Sequence, residues 1–283
     1  MKNTLSYWKR YDLVFKRFSF KTIYKEILTL VKKLGKPFKK KSNKGRPFKV
    51  QPEEYVAYIA FETVTHNSPY RDMELGSELY LGKHIDHSTF GKNFQKIPYG
   101  YLLRLLENVG KLLEKLLGKE HVLIADSTGT HSHIHYECDY KLTESRRKRM
   151  YKTHALISSY PDKNATCIKT GIGSDLRISD SEGARRMLKR ESNKNSIFIA
   201  DRGYDYEKVY NVCSEKGIKP HIKQKKYKSK KSKKRTLAKE YYDENIYKQK
   251  RGVVETIFGG LKNKGLLDVR CRKDENINKY SLL

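Results

Sequence analysis

Two stretches of the chain end an apolar run in the same three residues: VLIADSTG at 122–129 and IFIADRGYD at 197–205. Each run stops at a carboxylate, Asp126 in the first and Asp201 in the second. Strands buried on both faces present functional groups just past their carboxyl ends, where side chains leave the core and meet a crevice. If the two strands are parallel neighbours, both carboxylates arrive at one sheet edge. Two carboxylates held that close repel, and each resists ionising. A divalent cation removes the penalty, and Mg²⁺ suits oxygen ligands of this kind. The plainer reading makes each Asp a polar residue opening a turn; its duplication in a very basic chain weighs against that.

A third acid lies in RGVVETIFGGLK (251–262). At about 100° per residue, Val254, Ile257, Phe258 and Leu261 form one apolar stripe, and Arg251, Glu255 and Lys262 cluster within about 40° of one another beside it. An ordinary i,i+4 pair accounts for Arg251 and Glu255 on a surface helix. A carboxylate on the margin of a packed face is equally how a third metal ligand reaches the strand ends. HSHIHYEC (131–138) sets His131, His133 and His135 on one face of an extended segment with Cys138 near, but no second ligand cluster appears. GIGSDL (171–176) lacks the third glycine of a dinucleotide loop, and neither a GxSxG nor a Walker loop is present.

The elements that must position these groups fall into a helical first part and a mixed second part. Residues 1–35 read as a helical segment. KPFKKKSNKGRPFK within 36–50 reads as a flexible basic linker or arm that could lay Arg46 in a minor groove. Residues 51–118 return to helical spacing. The stretches 69–82 and 86–97 suggest two short helices across a turn, with Asp86 or Ser88 as the second cap, in the manner of a helix-turn-helix. The leucine-rich stretch 102–118 reads as an amphipathic helix packing on the next domain. From 119 to 283 the period changes: a buried strand, a hairpin around PDKN, a helix at 180–190, a second buried strand, a helix ended by Gly217, a short strand, and a helix at 245–265. Between the last two lies a basic loop, 223–240, with Lys225, Lys226, Lys230 and Lys231, too densely charged to pack and suited to meeting phosphate. Asp205 reads as the cap of the helix after it.

Composition sets the partner. Lys and Arg number 61 against 32 acids, a formal net charge of +29 over 283 residues. Such a charge opposes compaction and attracts a polyanion, nucleic acid first. The four cysteines are scattered, without a CxxC pair. No run of about 18 apolar residues and no signal-peptide segment is present, so the chain reads as cytoplasmic with no membrane partner, and charge alone does not separate DNA from RNA.

IADSTG, IADRGYD and RGVVETIFGGLK, in that order, resemble the three motif blocks of the DDE transposases of prokaryotic insertion sequences, in the group spanning insertion sequence families four and five. The third block of that family runs Arg, three residues, Glu, six residues, Lys, which Arg251, Glu255 and Lys262 match. The family places Tyr at the position held here by Lys248, and Tyr247 stands one place early. The resemblance covers about residues 121–265. It implies an α/β fold: a ribonuclease H-like mixed sheet with flanking helices, preceded by a smaller all-helical DNA-binding region. It further implies two Mg²⁺ ions, for which Mn²⁺ substitutes, with Asp126 bridging both and Asp201 and Glu255 each helping to hold one. Arg251, Lys262 and Arg202 would steady phosphate. The partners implied are double-stranded DNA, as element ends and as target, and further copies of the chain in a homodimer or larger synaptic assembly. A ribonuclease H-like nuclease without strand transfer, and a catalytically silent basic nucleic-acid binder, remain rival readings. The chain closes on NKYSLL, which reads as a helix cut short, as in a truncated element.

Overall fold

The computed structural model describes residues 9, 19–40, 46–118, 122–132, 150–160, 165–174, 178–191, 194–226, 232–269, 271 and 273–283. By their contacts these form two compact units, Met1–Pro98 and Tyr99–Leu283. Residues 99–117 therefore go with the second unit. Among the described residues no helix is long and apolar enough to cross a membrane.

The described part of the first unit folds as helices α1 (Phe20–Leu34), α2 (Pro52–His66), α3 (Tyr70–Leu81) and α4 (His87–Lys96). Local chemistry sets their ends. Ser19 accepts from the Thr22 amide before α1, and Gln51 and Glu54 make a reciprocal capping box around Pro52 before α2. Gly82, at φ 66°, stops α3, and Asp86 rather than Ser88 caps α4, accepting from the Ser88 amide at 2.8 Å. Buried residues from Tyr55 to Phe61 make α2 the centre of the unit, with Tyr24, Tyr80 and Phe90 packed around it. The basic segment at 36–50 is less free than its composition suggests. Phe38 and Phe48 meet edge-on at 5.8 Å, with the Lys96 ammonium over both rings, and Val50 is buried. Arg46 itself is exposed.

The second unit opens with α5 (Tyr99–Leu117), followed by β1 (Val122–Ser132), β2 (Met150–Tyr160), β3 (Ala165–Ser174), α6 (Asp180–Lys189), β4 (Ile197–Ala200), α7 (Glu207–Lys216), β5 (Lys219–Ile222), α8 (Lys233–Tyr241), α9 (Glu244–Asn263), β6 (Asp268–Val269) and α10 (Asp274–Tyr280). The sheet order is β3-β2-β1-β4-β5, and β6 pairs the far end of β1. β2 runs antiparallel to both of its neighbours, β1 and β3, whereas β4 and β5 run parallel to β1. The amphipathic helix α5 lies against β3 so closely that a Cβ on Gly110 would stand 3.0 Å from the Lys169 carbonyl oxygen.

Period-two alternation divides the sheet into two faces. Leu123, Ala125, Phe198 and Ala200 pack with α6 and α7 through Ala184, Met187, Leu188, Val209 and Val212. Val122, Ile124, Ile157 and Ile199 pack on the other face against α9, through Val254 and Phe258. Removing Phe258 from that contact would cost about 3–5 kcal/mol.

Two expectations for this unit change. The segment 223–240 is not one loose basic loop: residues 233–241 form α8, and Arg235 is buried against Asp205. Asp205 does not cap α7. It accepts from Tyr210 Oη and Arg235 Nε at Oδ1, and from the Lys225 amide and Arg235 Nη2 at Oδ2. A bidentate guanidinium compensates a buried carboxylate, and that pairing lets part of a lysine-rich run pack. The C-terminal stretch also packs, with Ile277 and Leu282 buried.

Candidate active site

The parallel pairing of β1 with β4 sets Ile124 opposite Ile199. The two Ile-Ala-Asp triplets therefore run side by side in register. Counting two on from the isoleucines, which face α9, Asp126 and Asp201 both fall on the α9 side of the sheet. The strands do not end alike. β4 stops at Ala200, and Asp201 caps a 3-10 turn, Arg202–Tyr204, its Oδ1 accepting from the Gly203 amide at 2.7 Å. β1 runs on through Asp126 to Ser132, because β2 continues to pair it from Asp126↔Ala155 to His131↔Met150. Asp126 is thus a mid-strand carboxylate, not the strand-end residue that its apolar run suggests.

Helix α9 lays Tyr247, Arg251 and Glu255 along one side at four-residue intervals. Arg251 Nη1 is 3.1 Å from Asp126 Oδ2 and 3.7 Å from Glu255 Oε1. The guanidinium therefore joins the sheet carboxylate to the helix carboxylate. Asp126 is 15% exposed and Glu255 71%, so the third acid stands at the open rim.

Burial pushes the Asp126 carboxyl above the ordinary range, Arg251 and the Ser127 amide oppose this, and the charges of Asp201 and Asp180 reinforce it. Arg251 loses by burial but is held protonated by Asp126, Tyr247, Asp201 and Glu255. The Tyr204 hydroxyl, buried beside Asp126, Asp180 and Asp201, is driven well above its usual value. Negative charge is concentrated here, answered by Arg251 at Asp126 and by Lys152 at Asp180.

Asp126, Asp201 and Glu255 do not bring ligand atoms within 4.8 Å of one another; among the described residues Glu74, Asp86 and His87 alone do so. That trio lies in the helical unit and is accounted for locally. The His87 amide and ring donate to Glu74, and Asp86 caps α4.

Of the remaining sequence candidates, Arg202 is exposed in the 3-10 turn, Lys262 is exposed in the last turn of α9, and Lys225 and Lys226 are exposed after β5. Lys230, Lys231, His133, His135 and Cys138 lie outside the described residues. Asp180, Lys152, Ser127 and Tyr204 adjoin the carboxylates, and sequence spacing does not point to them. One signal was available: Ser127, on the face opposite Asp126 of a buried strand, needs a polar partner across that face.

Residues 117–283 match the family model of the transposase DDE domain. The chain belongs to the DDE transposase family. The match takes in every strand of the sheet, both Ile-Ala-Asp triplets and the whole of α9. No curated protein matches this transposase-family chain.

Proposed function

We propose that the chain is an insertion-sequence transposase that cleaves the ends of its element and joins them to target DNA by two-metal-ion phosphoryl transfer on a ribonuclease H-like unit. The observation that carries this reading is the register of Ile124 with Ile199, which aligns Asp126 and Asp201 beneath Arg251 and Glu255. The mixed sheet, a meander on one side and parallel strands on the other, fits the fold that the family resemblance implies.

The donor set suits divalent cations: all-oxygen and acidic, with burial and the neighbouring carboxylates outweighing Arg251 in disfavouring ionisation of Asp126. Asp126, Asp201 and Glu255 would hold two Mg²⁺ ions, with Mn²⁺ able to serve. Bound there, such ions supply an activated water or DNA 3′-hydroxyl and stabilise the leaving oxygen of an in-line displacement. Arg251 orients Asp126 and offers its fork to a phosphate; Lys262 and Arg202, exposed at the rim, act as further phosphate contacts. Tyr247 holds the Arg251 side of the site. Lys225, Lys226, Lys230, Lys231 and Arg46 are assigned to the DNA backbone, where contact sets affinity and register rather than sequence.

In the helical unit α4 would read the element ends through its exposed Ser88, Lys92 and Gln95, side chains suited to base edges in a major groove. Holding two ends together calls for a homodimer or a larger assembly. The activity belongs in the cytoplasm, at the nucleoid.

The test incubates the purified chain with element-end duplexes carrying a free 3′-hydroxyl, supercoiled target DNA and Mg²⁺. Joined products support the reading; cutting without joining makes the chain a nuclease, and binding alone makes it a silent DNA binder.

A further inference from the structure

Asp180 approaches the paired carboxylates from the sheet face opposite α9. Ser127 follows Asp126 in the strand, and alternation sends its side chain to the α6 side, where its hydroxyl donates to Asp180 Oδ1 at 2.6 Å. The Lys152 ammonium, on β2, meets the same oxygen at 2.5 Å. Oδ2 is the oxygen nearer Gly203. It lies 3.3 Å from the point a Cβ on Gly203 would occupy, and Asp201 Oδ1 lies 2.9 Å from that same point. Two carboxylates thus close on one spot, and the residue between them is one without a side chain.

An acid in the first turn of a helix is explained by the helix dipole alone. The dipole does not explain why Ser127 and Lys152 both engage one oxygen while the other turns toward Asp201. We propose that Asp180 is a positioning residue of the cation site. One oxygen fixes Ser127, and with it the strand at Asp126, and the other adds negative charge beside Asp201. The inference rests on the two-metal reading above and extends it to a fourth carboxylate, one that acts through its neighbours.

The test titrates Mn²⁺ into the full chain without DNA, following free Mn²⁺ by electron paramagnetic resonance, with a melting curve for each protein. Asp180→Asn keeps the shape and can still accept from Ser127, so only the charge is lost. Its Mn²⁺ affinity is expected to fall by about 10–100-fold, the usual effect of removing an outer partner of a metal ligand. Ser127→Ala removes the hydroxyl that Asp180 holds and is expected to weaken Mn²⁺ as well. It decides the matter if Asp180→Asn melts too low to titrate. Wild-type affinity in either variant overturns the proposal. If Asp126→Asn weakens Mn²⁺ while both of these bind normally, the role of Asp180 falls and the proposed function stands. If Asp126→Asn also binds normally, the cation site itself is wrong.

Discussion

Ile124 and Ile199 face each other across a parallel strand pair, and this one relationship aligns Asp126 with Asp201. Shifting that register by one residue would turn one carboxylate to the α6 face and leave the other facing α9. The site therefore depends on the packing of Ile124 and Ile199 under Val254 and Phe258 as much as on the acids themselves.

Asp126 and Arg251 should show strong energetic coupling. Arg251→Leu leaves a largely buried carboxylate without its cation and is expected to cost about 3–5 kcal/mol. Asp126→Asn removes a charge that burial disfavours, so its stability should equal or exceed that of the wild type, with activity lost. The double variant should recover most of the Arg251→Leu loss. Urea unfolding of the four proteins measures this, and simple additivity would refute the coupling.

Tyr247 should behave as a site residue and Lys248 should not. Tyr247 faces Arg251 one turn away and packs in the cluster beneath α9, whereas Lys248 is 71% exposed and pairs with Glu244. Tyr247→Phe is expected to lower DNA cleavage by about tenfold, the scale of one lost hydrogen bond to a charged group. Lys248→Ala should leave cleavage unchanged. Equal effects from the two would place the helix in the wrong register.

How far the sequence discloses this arrangement differs from residue to residue. The twin triplets, the spacing of Arg251, Glu255 and Lys262, and the apolar stripe of α9 are legible because period and spacing are local properties. The length of β1 is not: its extension past Asp126 depends on pairing with β2, a partner remote in sequence. Asp205 and Arg235 mislead for a related reason. A carboxylate in a turn and an arginine in a lysine run each look solvated, and only their meeting makes both buried. Asp180 looks like an ordinary acidic helix start until Ser127 and Lys152 are placed beside it.

Stability should fall in mild acid because of His154. Burial pushes its imidazole down to about 4, only partly countered by Asp180. In the unfolded chain a histidine takes up a proton near pH 6.5, whereas the folded protein refuses it until about pH 4. The unfolded state thus binds more protons across that window, and stability drops as pH falls through it, by on the order of 3 kcal/mol in all. Chemical denaturation from pH 7 to pH 4 should show this slope in the wild type and a flatter one in His154→Leu. An equal slope in both would contradict the assignment.

The Asp205–Arg235 pair should anchor the stem of the lysine-rich segment. Burial works against the Asp205 carboxylate, yet Arg235, the Lys225 amide and Tyr210 hold it below the ordinary range. Its contribution is present above about pH 4 and is lost as pH falls through the depressed value. At neutral pH, Asp205→Ala is expected to cost about 3–5 kcal/mol and to expose the segment around Lys225 to protease. Wild-type thermal stability and cleavage resistance in that variant would refute the anchor.

The central claim is that Asp126, Asp201 and Glu255 together carry phosphoryl transfer on DNA. The most direct measurement is single-turnover cleavage of an element-end duplex in Mg²⁺ by the wild type and by Asp126→Asn, Asp201→Asn and Glu255→Gln, with DNA affinity measured in parallel. Cleavage is expected from the wild type alone, with near-equal DNA affinity in all four. Wild-type cleavage by any one of the three variants would contradict the claim.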